Sequence, residues 1–278
     1  MRYGFIIPGG DVQSIPDLTA EAEAAGWDGV FIPDCISIET PTHPASEGFD
    51  PWIVLALMAA RTQRVRLGTM LTPVSRRRPW KLARELVTLD HLSNGRMVLP
   101  VGLGAAEDDA GFYKVGEEMS LKGRARLLDE SLDILDGLWR GQPLYYTGEH
   151  YRIEGMTLLP PPVQRIPIWV VGAWPRQKSM QRALRRDGIM PTKKDGSNSA
   201  MTPADVQAMR AYIAENRSAT TPFDIVIEGE TPGADRAQAA ALVRSWEEAG
   251  ATWWLESMWG DGVTEADVRL RIQQGPPR

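Results

Sequence analysis

Residues 3–33 read YGFIIPGGDVQSIPDLTAEAEAAGWDGVFIP. The stretch opens on an apolar run, Tyr3 to Ile7, which Pro8 stops. An amphipathic run follows from Ser14 to Ala25, with Ser14 or Asp17 near its cap and Gly26 at its end. Gly29 to Ile32 is apolar again and ends at Pro33. Strand, helix and strand at this spacing form a βαβ unit, whose two strands must lie parallel.

The same rhythm continues outward. Further strands are predicted at Val65–Leu71, Met97–Val101, Ile168–Val171, Ile189–Pro191, Asp224–Glu228 and Thr252–Glu256. Helices are predicted from Pro51 to Arg61, Pro79 to Ser93, Leu121 to Trp139, Arg176 to Arg186, Pro203 to Asn216, Ala234 to Ala249 and Glu265 to Ile272. Asp50 before Pro51 and Thr202 before Pro203 are cap residues followed by proline at the first helical position. One interruption stands out: Leu144–Tyr146 and Tyr151–Ile153 flank Thr147-Gly148-Glu149-His150, the pattern of a hairpin. Strict alternation of this kind predicts an α/β fold, a (β/α)8 TIM barrel. Residues 1–278 form a single domain on this reading, with a small hairpin insertion after the fourth helix. An open doubly wound sheet is the competing architecture. The sixth strand, short and containing Pro191, is the weakest element.

Composition narrows the function classes. Lys plus Arg number 31 against 36 Asp plus Glu, a formal charge of −5, which excludes a strongly basic nucleic-acid binder. An apolar fraction of 43% with 24% charged residues is that of a folded chain. Cys35 is alone, so no intrachain disulfide forms, and with no base beside it an inert thiol is expected. His43, His91 and His150 are scattered, so no metal site is expected, although His43 falls on the predicted ligand face. No run of apolar residues is long enough to span a membrane and no signal segment is visible, so a cytoplasmic protein is expected. There is no Gly-x-Ser-x-Gly elbow for acyl transfer.

In a TIM barrel the ligand site is built where the strands end. The candidate segments are therefore Pro8-Gly9-Gly10, Asp34-Cys35, Thr72-Pro73, Gly102 to Glu107, Gly172-Ala173-Trp174, Thr192-Lys193-Lys194, Glu228-Gly229-Glu230 and Glu256 to Trp259. Trp174, Trp254 and Trp259 offer aromatic surface there. The G-x-G at Gly102–Gly104 lacks its third glycine, since Glu107 holds that position, so it is no dinucleotide fingerprint. Trp169 to Ser179 ends a strand and opens a helix. Arg176 and Lys178 in its first turn oppose the helix dipole, a cost that a bound phosphate turns into a gain. Arg76-Arg77-Arg78 and the Arg124–Arg126 segment are further cationic candidates.

Motifs along nearly the whole chain resemble the bacterial luciferase-like flavin monooxygenase family. They are AEAAGWDGVFIPD (22–34), Asp50-Pro-Trp, RVRLGTMLTP (64–73), Arg77-Arg-Pro, TLDHLSNGR (88–96), GRARLLDE (123–130), YTGEHY (146–151) and PIWVVG (167–172). The resemblance implies a (β/α)8 barrel, usually a homodimer, that binds FMN or the deazaflavin F420 non-covalently. With FMN it implies a monooxygenase that uses O2 on a small organic substrate, with a separate flavin reductase as partner. With F420 it implies a dehydrogenase or reductase that transfers hydride without O2, and Arg76–Arg78 with Lys193-Lys194 suit that cofactor's acidic tail. The family's pattern puts the phosphate at Val171, Gly172, Ala173 and Trp174, with help from Arg124, and the ring near Thr69 to Thr72 and Gly102. Asp34 and Glu107 are the carboxylates for proton transfer or orientation. Two departures matter: Cys35 follows Asp34 where many members have His, and Trp174 replaces a small or hydroxyl residue. The FMN monooxygenase is the leading expectation and the F420 enzyme its alternative; a flavin-binding accessory subunit and a non-redox phosphate-ligand enzyme are the remaining ones.

Overall fold

The computed structural model describes residues 1–36, 38, 47–104, 112–196, 199–260 and 262–278. Eight parallel strands alternate with helices: β1 (Arg2–Ile6), α1 (Ser14–Ala24), β2 (Gly29–Ile32), α2 (Pro51–Arg61), β3 (Arg66–Thr69), the short β4 (Thr72–Pro73), α3 (Pro79–Leu92), β5 (Leu99–Gly102) and α4 (Leu121–Leu138). The hairpin β6 (Leu144–Thr147) and β7 (Arg152–Met156) comes next. The alternation then resumes with β8 (Ile168–Trp174), α5 (Gln177–Leu184), β9 (Gly188–Lys193), α6 (Pro203–Asn216), β10 (Asp224–Gly229), α7 (Arg236–Ala249), β11 (Trp253–Glu256) and α8 (Glu265–Gln274). The sheet runs β3-β2-β1-β11-β10-β9-β8-β5-β4, with β4 carrying on from β3. Leu67 closes the seam: its N–H donates to Arg96 at 3.1 Å, and its carbonyl accepts from Val98 at 2.9 Å. The TIM barrel is the observed fold, and the hairpin follows the fourth helix as expected.

Three differences from the sequence reading have physical causes. The third strand breaks at Met70–Leu71, joined by a cis peptide, before resuming at Thr72. The fifth strand runs through Trp174 because its last residues pair in register with Thr192 and Lys193. For the same reason the sixth is six residues long and tolerates Pro191, opposite Gly172.

The barrel interior is aromatic. Phe31, Trp169 and Trp253 meet with ring centroids 5.1–6.4 Å apart, packed with Ile6, Val98, Met190, Val226 and Leu255. Rings of this size fit because glycines face them. A Cβ on Gly188 would come 2.6 Å from Trp169, and one on Gly29 would come 3.0 Å from Phe31 and 3.2 Å from Trp253. The larger core lies between the sheet and the helices, where Leu18, Leu55, Leu82, Leu132 and Met180 are fully buried.

Carboxylates fasten the connections by accepting backbone N–H groups. Asp50 caps α2 through Trp52 and Ile53, and Glu130 of α4 holds the hairpin turn at Glu149, His150 and Tyr151. Glu23 accepts from Gln63, Arg64 and Val65, which pins the α2–β3 loop to α1. Burial raises the pKa of Glu23, but these three bonds outweigh it and hold the carboxyl below its usual value. A depressed folded-state pKa stabilises at pH above the unfolded pKa, and the contribution is lost as pH falls through the folded value. Glu23→Gln is therefore expected to lower stability by about 1 kcal/mol at neutral pH. Denaturant midpoints measured down the acid limb should show the two proteins converging; a pH-independent gap would refute the assignment.

Candidate active site at the barrel mouth

Strand parity decides which side chains reach the mouth. Above the aromatic layer stand Met70, Leu71, Val171, Met190, Pro191, Thr192, Val226 and Glu228, around a cavity of about 150 Å³. Its walls are apolar except for Thr192 and Glu228. Gly102 borders this floor: a Cβ there would come 3.0 Å from Leu71 and 3.3 Å from Val171. Leu71 and Val171 thus pack directly on the Gly102 backbone, an approach that a residue with a Cβ would crowd. A second cavity, of about 330 Å³, opens beside it between Pro8-Gly9-Gly10 and the Met258–Val268 region. Trp259 stands between the two, its indole N–H donating to the Glu228 carboxylate.

The predicted site residues fall into groups. Thr69 and Thr72 are buried and joined hydroxyl to hydroxyl at 2.6 Å across the strand break. Arg124, also buried, reaches from the first turn of α4 to the Leu103 carbonyl at 2.9 Å. Val171, Gly172, Ala173 and Trp174 form the end of β8, where parity separates them. Val171 lines the mouth cavity, whereas Trp174 packs on Tyr212 of α6. The Ala173 N–H already donates to Ser179 at 2.8 Å. No side chain caps the start of α5. Trp254 is buried toward Trp246, which leaves Trp259 as the mouth tryptophan of the three.

Asp34 sits at the end of β2 in a clamp. Arg77 donates to both carboxylate oxygens, at 2.6 and 3.1 Å, and the Trp52 indole donates at 3.1 Å. The carboxylate is 4% exposed. The expected run Arg76–Arg78 is thus divided: Arg77 holds Asp34, Arg76 lies over Phe112 at 3.5 Å, and Arg78 is exposed. Lys193 is likewise engaged, with Asp205 at 3.0 Å and Asp195 at 3.7 Å. Desolvation and the Asp34 charge raise the pKa of Cys35 above its usual value, the opposite of an activated thiol. Glu107 and His43 lie outside the described residues.

Sequence reasoning reached Met70 within the Thr69–Thr72 segment but overlooked Met190 and Val226 as mouth residues. Their signal was the two-residue parity that also turns Trp169 inward. It also overlooked the Trp52–Asp34–Arg77 clamp, which joins three elements and leaves no mark in local sequence.

An apolar floor and an uncapped helix start together suit a flat ring that carries an anionic chain. A TIM barrel with such a mouth belongs to the class of barrels built to take a small ligand at the strand ends. The chain belongs to the luciferase-like monooxygenase family, whose match spans residues 4–268. It is 30% identical over 236 residues to the F420-dependent glucose-6-phosphate dehydrogenase of Nakamurella multipartita, covering 84% of this chain and 68% of that one. The enzyme of the same name from Intrasporangium calvum is 30% identical over 216 residues, 71% of this chain and 64% of its own. The chain thus spans about two-thirds of the length of these curated relatives. Among solved structures, an F420-dependent secondary alcohol dehydrogenase matches with TM-score 0.77 at 16% identity, covering 98% of this chain and 96% of that one. The monooxygenase RslO1 of Streptomyces bottropensis matches with TM-score 0.78 at 20% identity, covering 99% and 97%. Both share the fold. Among the described residues, no helix is long and apolar enough to cross a membrane.

Proposed function

We propose that this protein is an F420-dependent oxidoreductase that exchanges a hydride with a small organic substrate and does not use O2. The observation that carries the reading is the likeness to F420-dependent dehydrogenases at 30% identity over 84% of the chain. It favours the hydride-transfer alternative over the FMN monooxygenase.

When bound, the deazaflavin supplies the two-electron chemistry; the chain supplies position and surroundings. Met70, Leu71, Val171 and Met190 would form the apolar floor under the ring. The backbone of Val171 to Trp174, the start of α5 and Arg124 would hold the phosphate, and Thr69 and Thr72 would fix the strand break beneath the ring. Asp34, with both oxygens committed, acts as a positioning residue that holds Arg77 and Trp52 at the mouth. Glu107 is the carboxylate we assign to proton transfer, to be tested as E107Q.

The test is parallel titration of the purified protein with F420 and FMN at one ionic strength, followed by anaerobic turnover with glucose 6-phosphate as the first substrate offered. F420 is expected to bind more tightly than FMN by at least about tenfold, or about 1.4 kcal/mol. Tighter FMN binding with substrate-dependent O2 uptake would overturn the proposal.

A further inference from the structure

The apolar mouth cavity is lined by a single charged residue. Side chains alternate along β10, so Val226 joins the aromatic interior and Glu228, two residues on, stands at the mouth cavity. Its partner in register is Leu255 of β11, which belongs to the same interior layer. Trp259, half exposed, lines the adjoining chamber of about 330 Å³ and donates its indole N–H to the Glu228 carboxylate. The pair therefore marks the boundary between the floor proposed for the ring and the chamber beside it.

Nothing at that boundary offsets a negative charge. Among the described residues, no Lys or Arg lines either cavity. The chamber's own carboxylate, Glu265, is paired with Arg269 at 2.8 Å. Cations at neighbouring strand ends are committed elsewhere: Arg77 to Asp34, and Lys193, which follows Thr192 in the chain, to Asp205. Glu228 itself has no cationic partner among the described residues. A carboxylate accepts about four hydrogen bonds, and the indole supplies one of them. The rest of this exposed side chain faces water.

A substrate that covers Glu228 displaces that water, and a carboxylate stripped of donors is costly. A hydroxyl donates in the water's place. An ionised phosphate or carboxylate has no donor to offer and adds a second negative charge over an apolar floor. We propose that the chamber takes an uncharged alcohol as substrate, one of whose hydroxyls donates to Glu228, and that the Glu228 charge turns away phosphorylated and carboxylated analogues. The inference rests on the F420 reading and names the substrate class of that same mouth. It separates this chain from the glucose-6-phosphate dehydrogenases to which it is similar. Glu228 is a specificity-determining residue in this account, and Trp259 holds it in place; proton transfer stays with Glu107.

The experiment offers the F420-loaded protein matched pairs: glucose with glucose 6-phosphate, glycerol with glycerol 3-phosphate, and propane-1,2-diol with lactate. Binding is read by calorimetry and turnover by the anaerobic loss of cofactor absorbance. The uncharged member of each pair is expected to bind on the order of tenfold more tightly and to lead in kcat/KM. Glu228→Gln keeps the size and removes the charge. It should raise KM for the uncharged alcohol more than it lowers kcat, and narrow the preference to about twofold or less. Glu228→Lys should reverse the preference. An anionic member favoured by wild type, or a preference that Glu228→Lys leaves unmoved, would overturn the proposal. A panel in which no uncharged alcohol binds would overturn it too, while F420 binding, titrated beforehand, would leave the cofactor reading standing. If F420 itself does not bind, that reading falls and the substrate class with it.

Discussion

Arg271→Met is expected to destabilise the protein by about 3–5 kcal/mol. The guanidinium belongs to a buried cluster. Glu256, at the end of β11, is fully buried and accepts from the Thr231 N–H at 2.7 Å, the Trp254 indole at 3.0 Å and Arg271 at 3.2 Å. Arg271 also donates to the Thr231 hydroxyl and the Gly275 carbonyl, both at 2.8 Å. Removing the cation strands a carboxylate with no solvent, and that cost exceeds the worth of the pair itself. The double variant E256Q/R271M should therefore recover a good part of the loss, by about 1–3 kcal/mol. Denaturant midpoints at constant slope would show this; equal midpoints for single and double variants would refute the charge argument. The cluster anchors the start of the loop that carries Trp259 to the mouth, so a destabilised β11–α8 connection should weaken cofactor binding as well.

Arg96→Met should cost about 4 kcal/mol, by a different mechanism. All five N–H donors of this buried arginine are used, on the carbonyls of Ala59, Thr62, Val65 and Ser93 and on the Thr62 hydroxyl. No carboxylate takes part, so the side chain acts as a five-pronged cap. It gathers the end of α2, the start of β3 and the end of α3 at the barrel seam. Methionine fills the volume and leaves four carbonyls without their partner. Lys in its place has three donors on a flexible stem and should recover less than half of the loss. A shift in Tm of roughly 8–12 °C for the Met variant is the expected readout. A Lys variant as stable as wild type would show that charge, and not the fork of donors, is what the seam requires.

The barrel was legible because its signals are local. Strand runs ended by Pro8 and Pro33, caps at Asp50 and Thr202, and the hairpin turn at Gly148 each depend on neighbours a few residues away. The clamp on Asp34 was not legible: Trp52 and Arg77 come to it from 18 and 43 positions along the chain. The same holds for the ion pairs between α4 and α5: Arg182 meets Asp129 from 53 positions along the chain.

From the sequence alone follow the number of strand-helix units, their order, the hairpin and the segments that stand at the strand C-terminal face. Periodicity and turn chemistry are properties of a few consecutive residues. Tertiary structure decided which side chains at that face are free. It spent Arg77 on Asp34 and Lys193 on Asp205, turned Trp174 outward to Tyr212, and left Met70, Met190 and Glu228 around the mouth. Those outcomes depend on strand register and on pairs far apart in the chain, and such pairs exist only once the barrel has closed.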